Sequence, residues 1–317
     1  MKTFIAAAFV LFAILLPLNT TLSQVLVWPD KLPVYDHVVV IIEENKDYEE
    51  IIGSDADPYI NMLRSEGANF TQMYAEEHKS EGNYFWLMSG SNQNVGFSDA
   101  TPKALISESN LGEQLIKKGF TFRGYAEDLP EIGSMIAVKN LYARKHVPWV
   151  SFSNLPAGNN PDSSTNLQFS QFPSDFSKLP TVSFVAPNLI DDMHNDPNNV
   201  KHGDEWLHTQ MDLYYQWAKT HNSLLIVTFD ENEDTNGMTG LTDPSSSKKV
   251  MQNRIPTIFA GAHIKHGDYS EGKGITHVSI LRTLEAMYGL EKSGAQQPNA
   301  LNFGIGNEFI ITDIFTK

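Results

Sequence analysis

The 317-residue chain has no cysteine, which excludes zinc–thiolate sites, disulfide frameworks and cysteine nucleophiles together. It is also short of positive charge: 23 lysines and arginines face 38 aspartates and glutamates, for a formal net charge of −15. No basic stripe offsets that field, so it repels nucleic acid and anionic membranes alike, and nucleic acid is excluded as a partner. A phosphate ester would be repelled unless bound cations reversed the charge locally. Behind the N-terminus there is no apolar run of the roughly 20 residues that a membrane helix needs. A phosphate-binding Gly-x-x-x-x-Gly-Lys loop is missing too, which argues against nucleotide hydrolysis by that route.

What is present begins with Lys2, an apolar run from Phe4 to about Pro17, and Leu18-Asn19-Thr20-Thr21-Leu22-Ser23. A basic start, a short apolar stretch and small residues before a cleavage point predict a signal peptide over residues 1–23, leaving Gln24 as the mature start. The run is short for a retained anchor, and without cysteine a lipid-modified N-terminus is excluded. The expected product is secreted or periplasmic, with no stable membrane insertion after cleavage. Residues 24–317 show no repeat and no linker, so they are read as one domain.

The hydrophobic pattern predicts strands alternating with helices. Asp36–Ile42 and Ser223–Phe229 are continuous apolar or β-branched runs, as in strands buried on both faces of a parallel sheet. Further strands are expected at Phe70–Ala75, Phe120–Tyr125, Thr181–Ala186 and Ile255–Ala260. Helices are expected at Pro58–Glu66, Leu111–Lys118, Glu205–Ala218 and Val278–Tyr288, with another following Ser80. Residues 154–180, rich in Asn, Ser, Pro and Phe, read as an irregular surface insertion. The polar stretch from Asp234 to Lys249 reads as a loop flanking or covering a site. The pattern gives an α/β fold, a three-layer α/β/α sandwich with a mostly parallel central sheet.

Polar clusters stand just past several of these apolar runs: Glu43-Glu44-Asn45, His78-Lys79-Ser80, Asp191-Asp192-Met193-His194 and Asp230-Glu231-Asn232, with His277 opening the last helix. Open α/β sheets gather ligands at the carboxyl ends of their strands. Carboxylates and imidazoles there suit a divalent cation. Asp192 and His194, two apart, would face one way on an extended segment. Each cluster also has a bland reading: Asn45 as a cap, Ser80 as a turn residue, Asp191 as part of a solvated loop, His277 as a structural histidine. A serine among metal ligands suggests an activated nucleophile. Ser80 has no Gly-x-Ser-x-Gly elbow, so a serine hydrolase is disfavoured. Arg144, Lys145 and His146 read either as a clamp for phosphate oxygens or as a surface patch.

In order, these residues resemble the phosphoesterase family of acid phosphatases and phosphocholine-type phospholipases C, within the alkaline-phosphatase-like superfamily. The resemblance rests on Glu44-Asn45; on His78, Ser80, Asn83 and Tyr84; and on Pro187, Asn188, Asp192 and His194. It extends to Gly203, Asp204, Trp206 and Leu207, to Asp230-Glu231, and to Thr276-His277 with Leu281–Glu285. It implies metal-dependent hydrolysis of phosphate monoesters through a phosphoserine on Ser80. Asn45, Asn83 and His146 would assist, and Glu44, Asp192, His194, Asp230, Glu231 and His277 would hold zinc, manganese, magnesium or calcium. A phospholipase C-like phosphodiesterase is the alternative within that chemistry, with the phenylalanines of residues 152–176 as a lipid lid. An inactive metal- or phosphate-binding protein is the alternative outside it. Lys79 and Gly82 depart from the family's prolines, which implies a looser turn at the serine.

Overall fold

The computed structural model describes residues 32–95, 101–195, 199–233, 253–270, 274–294 and 310–316. The expected signal peptide and the Asp234–Lys249 loop lie outside them.

The central sheet contains β1 (His37–Glu43), β2 (Ala68–Phe70), β4 (Phe122–Ala126), β7 (Asn166–Gln168), β8 (Val182–Ala186), β9 (Ser223–Phe229), β10 (Thr257–Gly261) and β11 (Gly267–Tyr269). Its order is β11-β2-β10-β9-β1-β8-β4-β7. Only β10 runs against its neighbours; the other pairings are parallel. Two short ladders stand apart: β3 (Met73–Tyr74) with β12 (Ile275–Thr276), and β5 (Val138–Lys139) with β6 (Tyr142–Ala143).

The helices are α1 (Tyr48–Ile51), α2 (Pro58–Glu66), α3 (Ser80–Ser89), α4 (Leu111–Lys117), α5 (Asn199–Ala218) and, for His277–Met287, α6. Side-chain alternation along β4 shows how they divide. Phe122 and Gly124 face α4 and Trp149: a Cβ on Gly112 would meet Phe122, and one on Gly124 would strike the Trp149 indole. Tyr125 points the other way, onto Phe172, which in turn meets Tyr214 of α5. α2 packs on α5 across β9 and β10, while α3 packs with α4 and α6. The result is the expected α/β/α sandwich.

β1 is central because every residue from Val38 to Ile42 is buried, which only a strand covered on both faces and both edges allows. Its register places Glu43 opposite Phe229.

Four expectations change. Phe70–Ala75 is two short strands in different sheets, not one. The strand expected at Ile255–Ala260 begins at Thr257 and is antiparallel. Residues 154–180 supply the sheet's edge strand, β7. Its phenylalanines are not a lid: Phe169 meets Trp206, and Phe176 meets Tyr214 and Trp217, fastening the segment to α5. Phe152 is buried edge-on against Phe85.

Candidate active site

The apolar runs of β1 and β9 end side by side, so the residues after them meet. Asp230 N–H donates to the Glu43 carbonyl, and Lys46 N–H to the Glu231 carbonyl. On the other flank Glu44 N–H donates to the Asp192 carbonyl at 2.8 Å. Glu44 is thereby held between Asp230-Glu231 and Asp192, three segments distant in sequence. Asn45 takes a left-handed turn, φ 53°, its N–H donating to Asp230 Oδ1 at 3.0 Å and its amide to Glu44 Oε2 at 2.8 Å. Asn tolerates that backbone region better than most residues.

Ser80 opens α3 and is buried. Its hydroxyl donates toward Glu231 Oε1 at 3.1 Å and lies 3.3 Å from Glu44 Oε2. Tyr84, one turn along the same helix, donates its hydroxyl to Glu44 Oε1 at 3.0 Å. His146 stacks on the Tyr84 ring, 5.3 Å between centroids and 9° from parallel. It pairs with Glu44 at 2.8 Å through Nε2 and with Asp192 at 3.1 Å through Nδ1. His194, partly exposed, lies 3.9 Å from Glu44. The structure thus brings together Ser80, Glu44, Asn45, Asp192, Asp230, Glu231 and His146, with His194 at the rim.

Buried charge of one sign governs the electrostatics. Burial opposes ionisation of Glu44, but His146 beside it outweighs that and holds the carboxyl down at about 2. Burial also works against a charged His146, yet Glu44 and Asp192 raise it to about 9. Burial lifts Asp230 well above the carboxylate range, and the charges of Glu44 and Glu231 add to it. Asp192 and Glu231 are raised by burial too, with His146 and His78 opposing.

Several residues take other places than expected. His277 Nε2 donates to the Phe229 carbonyl at 2.8 Å, and its Nδ1 meets Glu76 Oε2 at 2.7 Å. Both ring nitrogens are engaged by protein groups, so the structure turns His277 toward Glu76 and the end of β9. Asn83 is likewise turned inward, its amide clasping the backbone of Glu77. Arg144 is neither clamp nor surface patch; it is buried and ties Met135 O, Pro102 O and Ser151 Oγ together. Asp192 and His194 sit on a turn, with Met193 at φ 74° and His194 N–H donating to Asp192 Oδ1, and not on an extended segment.

The turn before Ser80 is also tightly packed, against the expectation of looseness. A Cβ on Gly82 would stand 2.1 Å from Glu77 Oε1. His78, which the sequence-based ligand set leaves out, also reaches this cluster. Its Nδ1 contacts Glu231 Oε2, and its Nε2 is buried with no hydrogen-bond partner among the described residues. Its place two residues before Ser80 was the available signal.

The donors suit a divalent cation in kind: several buried carboxylates, an unpartnered Asp230 Oδ2 and the open His78 Nε2. Among the described residues no three acidic or imidazole groups already form a closed cation cage. His146 bridges the carboxylates pairwise, and His78 pairs with Glu231.

A mostly parallel sheet whose strand tips deliver carboxylates beside a serine at a helix start is the architecture of an α/β enzyme, and the comparisons make it a hydrolase of phosphoric esters. The phosphoesterase family model matches residues 54–291, and the chain belongs to that family. It is 44% identical over 266 residues to a phosphatidylinositol-3-phosphatase of Mycobacterium tuberculosis, covering 83% of this chain and 80% of the relative. It is 28% identical to an acid phosphatase of Aspergillus fumigatus, covering 79% of this chain and 54% of that one. Among solved structures, an alkaline phosphatase superfamily protein from Vibrio parahaemolyticus matches with a TM-score of 0.54 at 13% identity, covering 81% of this chain and 67% of its own. No described helix is long and apolar enough to cross a membrane.

Proposed function

We propose that the protein is an exported, metal-dependent phosphomonoesterase that acts through a phosphoserine on Ser80. The observation that carries this is the Ser80 hydroxyl at the start of α3, 3.1 Å from Glu231 and 3.3 Å from Glu44. The geometry supports a simple sequence. Glu231 accepts the hydroxyl proton, Ser80 Oγ attacks phosphorus, and the ester oxygen leaves with a proton from solvent. Water then attacks the phosphoserine, and Ser80 recovers its proton as inorganic phosphate departs. Phosphoryl transfer asks chiefly for positioning and charge stabilisation. Asn45 and His194 lie where they can orient phosphoryl oxygens at the rim, and Tyr84 and His146 fix the Glu44 carboxylate.

A divalent cation would be held by Glu44, Asp230 and Glu231, with Asp192 and His78 beside them. When bound it would neutralise phosphate charge and favour the serine alkoxide. Zinc, manganese, magnesium and calcium are all compatible with such donors. The names of both curated relatives favour monoesters over the phospholipase C reading, and the 44% relative's name favours a lipid headgroup phosphate among them. Export rests on Lys2 and the apolar run behind it; a mature chain beginning at Gln24 is the expected result of N-terminal sequencing.

The test is turnover of para-nitrophenyl phosphate and its diester analogue, with and without chelator, by wild type and Ser80→Ala. Chelator-sensitive monoester hydrolysis abolished in the variant is expected. Full activity in Ser80→Ala refutes the nucleophile, and chelator-resistant turnover refutes the cation. Preference for the diester would establish the phosphodiesterase instead, while silence on both substrates across added metals would leave a binding protein.

A further inference from the structure

Lys46 directly follows the Glu44-Asn45 pair and is the only lysine buried among the described residues, at 1% exposure. Its ammonium donates to the Asn45 carbonyl at 2.8 Å and pairs with Glu233 Oε1 at 3.2 Å. The ion pair does not explain the burial. Glu233 is 51% exposed, and a lysine left in water would make an equivalent contact without being desolvated. What burial adds is the hydrogen bond to Asn45.

That carbonyl belongs to a peptide bonded at both ends. Its N–H, which is that of Lys46, donates to the Glu231 carbonyl at 3.2 Å, while its oxygen accepts from the Lys46 ammonium. The peptide before it is held through Asn45 N–H on Asp230 Oδ1 at 3.0 Å. Asn45 stands between the two at φ 53°, a conformation that costs energy and persists where the surroundings over-determine it. With both peptides fixed, the Asn45 amide reaches Glu44 Oε2 at 2.8 Å, and the Ser80 hydroxyl lies 3.3 Å from that same oxygen.

We propose that Lys46 is a positioning residue for Asn45. By pinning the 45–46 peptide it holds the Asn45 amide beside the serine, where the amide meets a phosphoryl oxygen of the reacting ester. The ester rests on the phosphomonoesterase reading; the pinned turn rests on the packing alone. The same charge has a second duty: burial raises the carboxyls of Glu50 and Asp57, and the Lys46 ammonium opposes that rise. This duty acts on stability and not through Asn45, so experiment separates the two.

The experiment is a double-mutant cycle on the full chain with Lys46→Met, Asn45→Ala and both together. It is read by kcat and KM on para-nitrophenyl phosphate, by orthovanadate binding in a calorimeter, and by the urea midpoint. Methionine fills the space of the lysine stem and removes its donors. Lys46→Met should lower kcat about tenfold to a hundredfold, the usual cost of losing a residue that orients another within a site. Orthovanadate should weaken by a similar factor, with KM little changed. In the Asn45→Ala background the same substitution should cost less than about twofold, because the group it positions is gone. Lys46→Arg, still able to donate to the carbonyl, should recover part of kcat. Glu233→Gln should keep wild-type kcat, since the hydrogen bond to Asn45 survives it. If Lys46→Met does not fold, Lys46→Gln takes its place in the cycle, its amide ending a bond short of the ammonium position. Undiminished loss in the Asn45→Ala background overturns the proposal and leaves Lys46 a counter-ion. A lowered urea midpoint with unchanged kcat overturns it too, as does an equal loss in Glu233→Gln. Wild type silent on every ester, with orthovanadate binding that shows the same coupling, upholds the positioning and refutes the phosphatase reading. Wild type that neither hydrolyses an ester nor binds orthovanadate overturns both.

Discussion

Replacing His277 with alanine distinguishes the role that the structure assigns to it from the metal-ligand role that its sequence position implies. The ring joins Glu76 to the Phe229 carbonyl, at 2.7 Å and 2.8 Å, in a region where all three residues are buried. Its removal orphans both acceptors. A buried group deprived of its partner costs about 1–3 kcal/mol. Glu76 keeps the Val278 N–H at 3.0 Å, which places its share toward the lower end. With the ring-sized void added, His277→Ala should lose about 3–5 kcal/mol. That is a large part of the roughly 5–15 kcal/mol typical of a folded domain. The urea midpoint should fall sharply, while metal content of the folded fraction, read by mass spectrometry after dialysis, stays at the wild-type level. Because Phe229 immediately precedes Asp230, kcat should also drop, with KM little changed. His277→Gln, able to reach one acceptor, should recover part of the midpoint. An unchanged urea midpoint with loss of bound metal would refute the reasoning and make His277 a ligand after all.

Three other perturbations are set by the packing. Gly82→Ala drives a Cβ to 2.1 Å from Glu77 Oε1 and 2.9 Å from its Cδ, where Glu77 is already held by Trp86 and Asn92. The gain in helix propensity, about 1 kcal/mol, is outweighed by overpacking of about 1–3 kcal/mol, so thermal unfolding should come earlier and a higher Tm would contradict the clash. Glu43 is fully buried, neither carboxylate oxygen has a partner among the described residues, and burial pushes it well above the usual range. Glu43→Met should therefore stabilise by about 1–3 kcal/mol in urea titrations, and a lower midpoint would reveal a partner for that carboxyl. Glu127 accepts from Asn188 N and Trp206 Nε1 and lies against Asp191; burial, reinforced by Asp191, raises it to about 7. Its folded value exceeds the ordinary 4.5, so its contribution is complete below pH 4.5 and is lost as pH rises through about 7. Glu127→Gln should leave the unfolding free energy unchanged near pH 4 and raise it at pH 8 by about 1–2 kcal/mol after solvent screening of this partly exposed group; equal changes at both pH values would rule out titration as the cause.

The carboxylates of the site were legible because strand chemistry is local. Val38–Ile42 and Leu224–Phe229 cannot face water on either side, so they lie in the middle of a sheet, and the residues after them stand at its edge. The imidazoles were not legible in the same way. Whether His277 or His78 keeps an open nitrogen depends on which ring meets the Phe229 carbonyl, and that is decided by the docking of α6 against the end of β9. Strand direction is equally silent in local pattern, so β10 read as a strand without its antiparallel sense. The edge strand β7, Asn166-Leu167-Gln168, is paired on one side only and has no run of apolar residues to announce it.

Glu76-Glu77-His78 shows the same limit most sharply. As sequence it is three polar residues in a row, the pattern of a solvated turn, yet all are buried. Each serves a different element. Glu76 holds the first turn of α6 through Val278 and His277, Glu77 accepts from the Trp86 indole of α3, and His78 reaches Glu231 past the end of β9. Three polar side chains can be buried at consecutive positions only where separate elements present donors and acceptors from several directions at once. Such a point can also hold a hydroxyl directly against carboxylates, as Ser80 is held against Glu44 and Glu231. Ser80 stands two residues further on, and the run that local pattern cannot interpret is the one that sets its position.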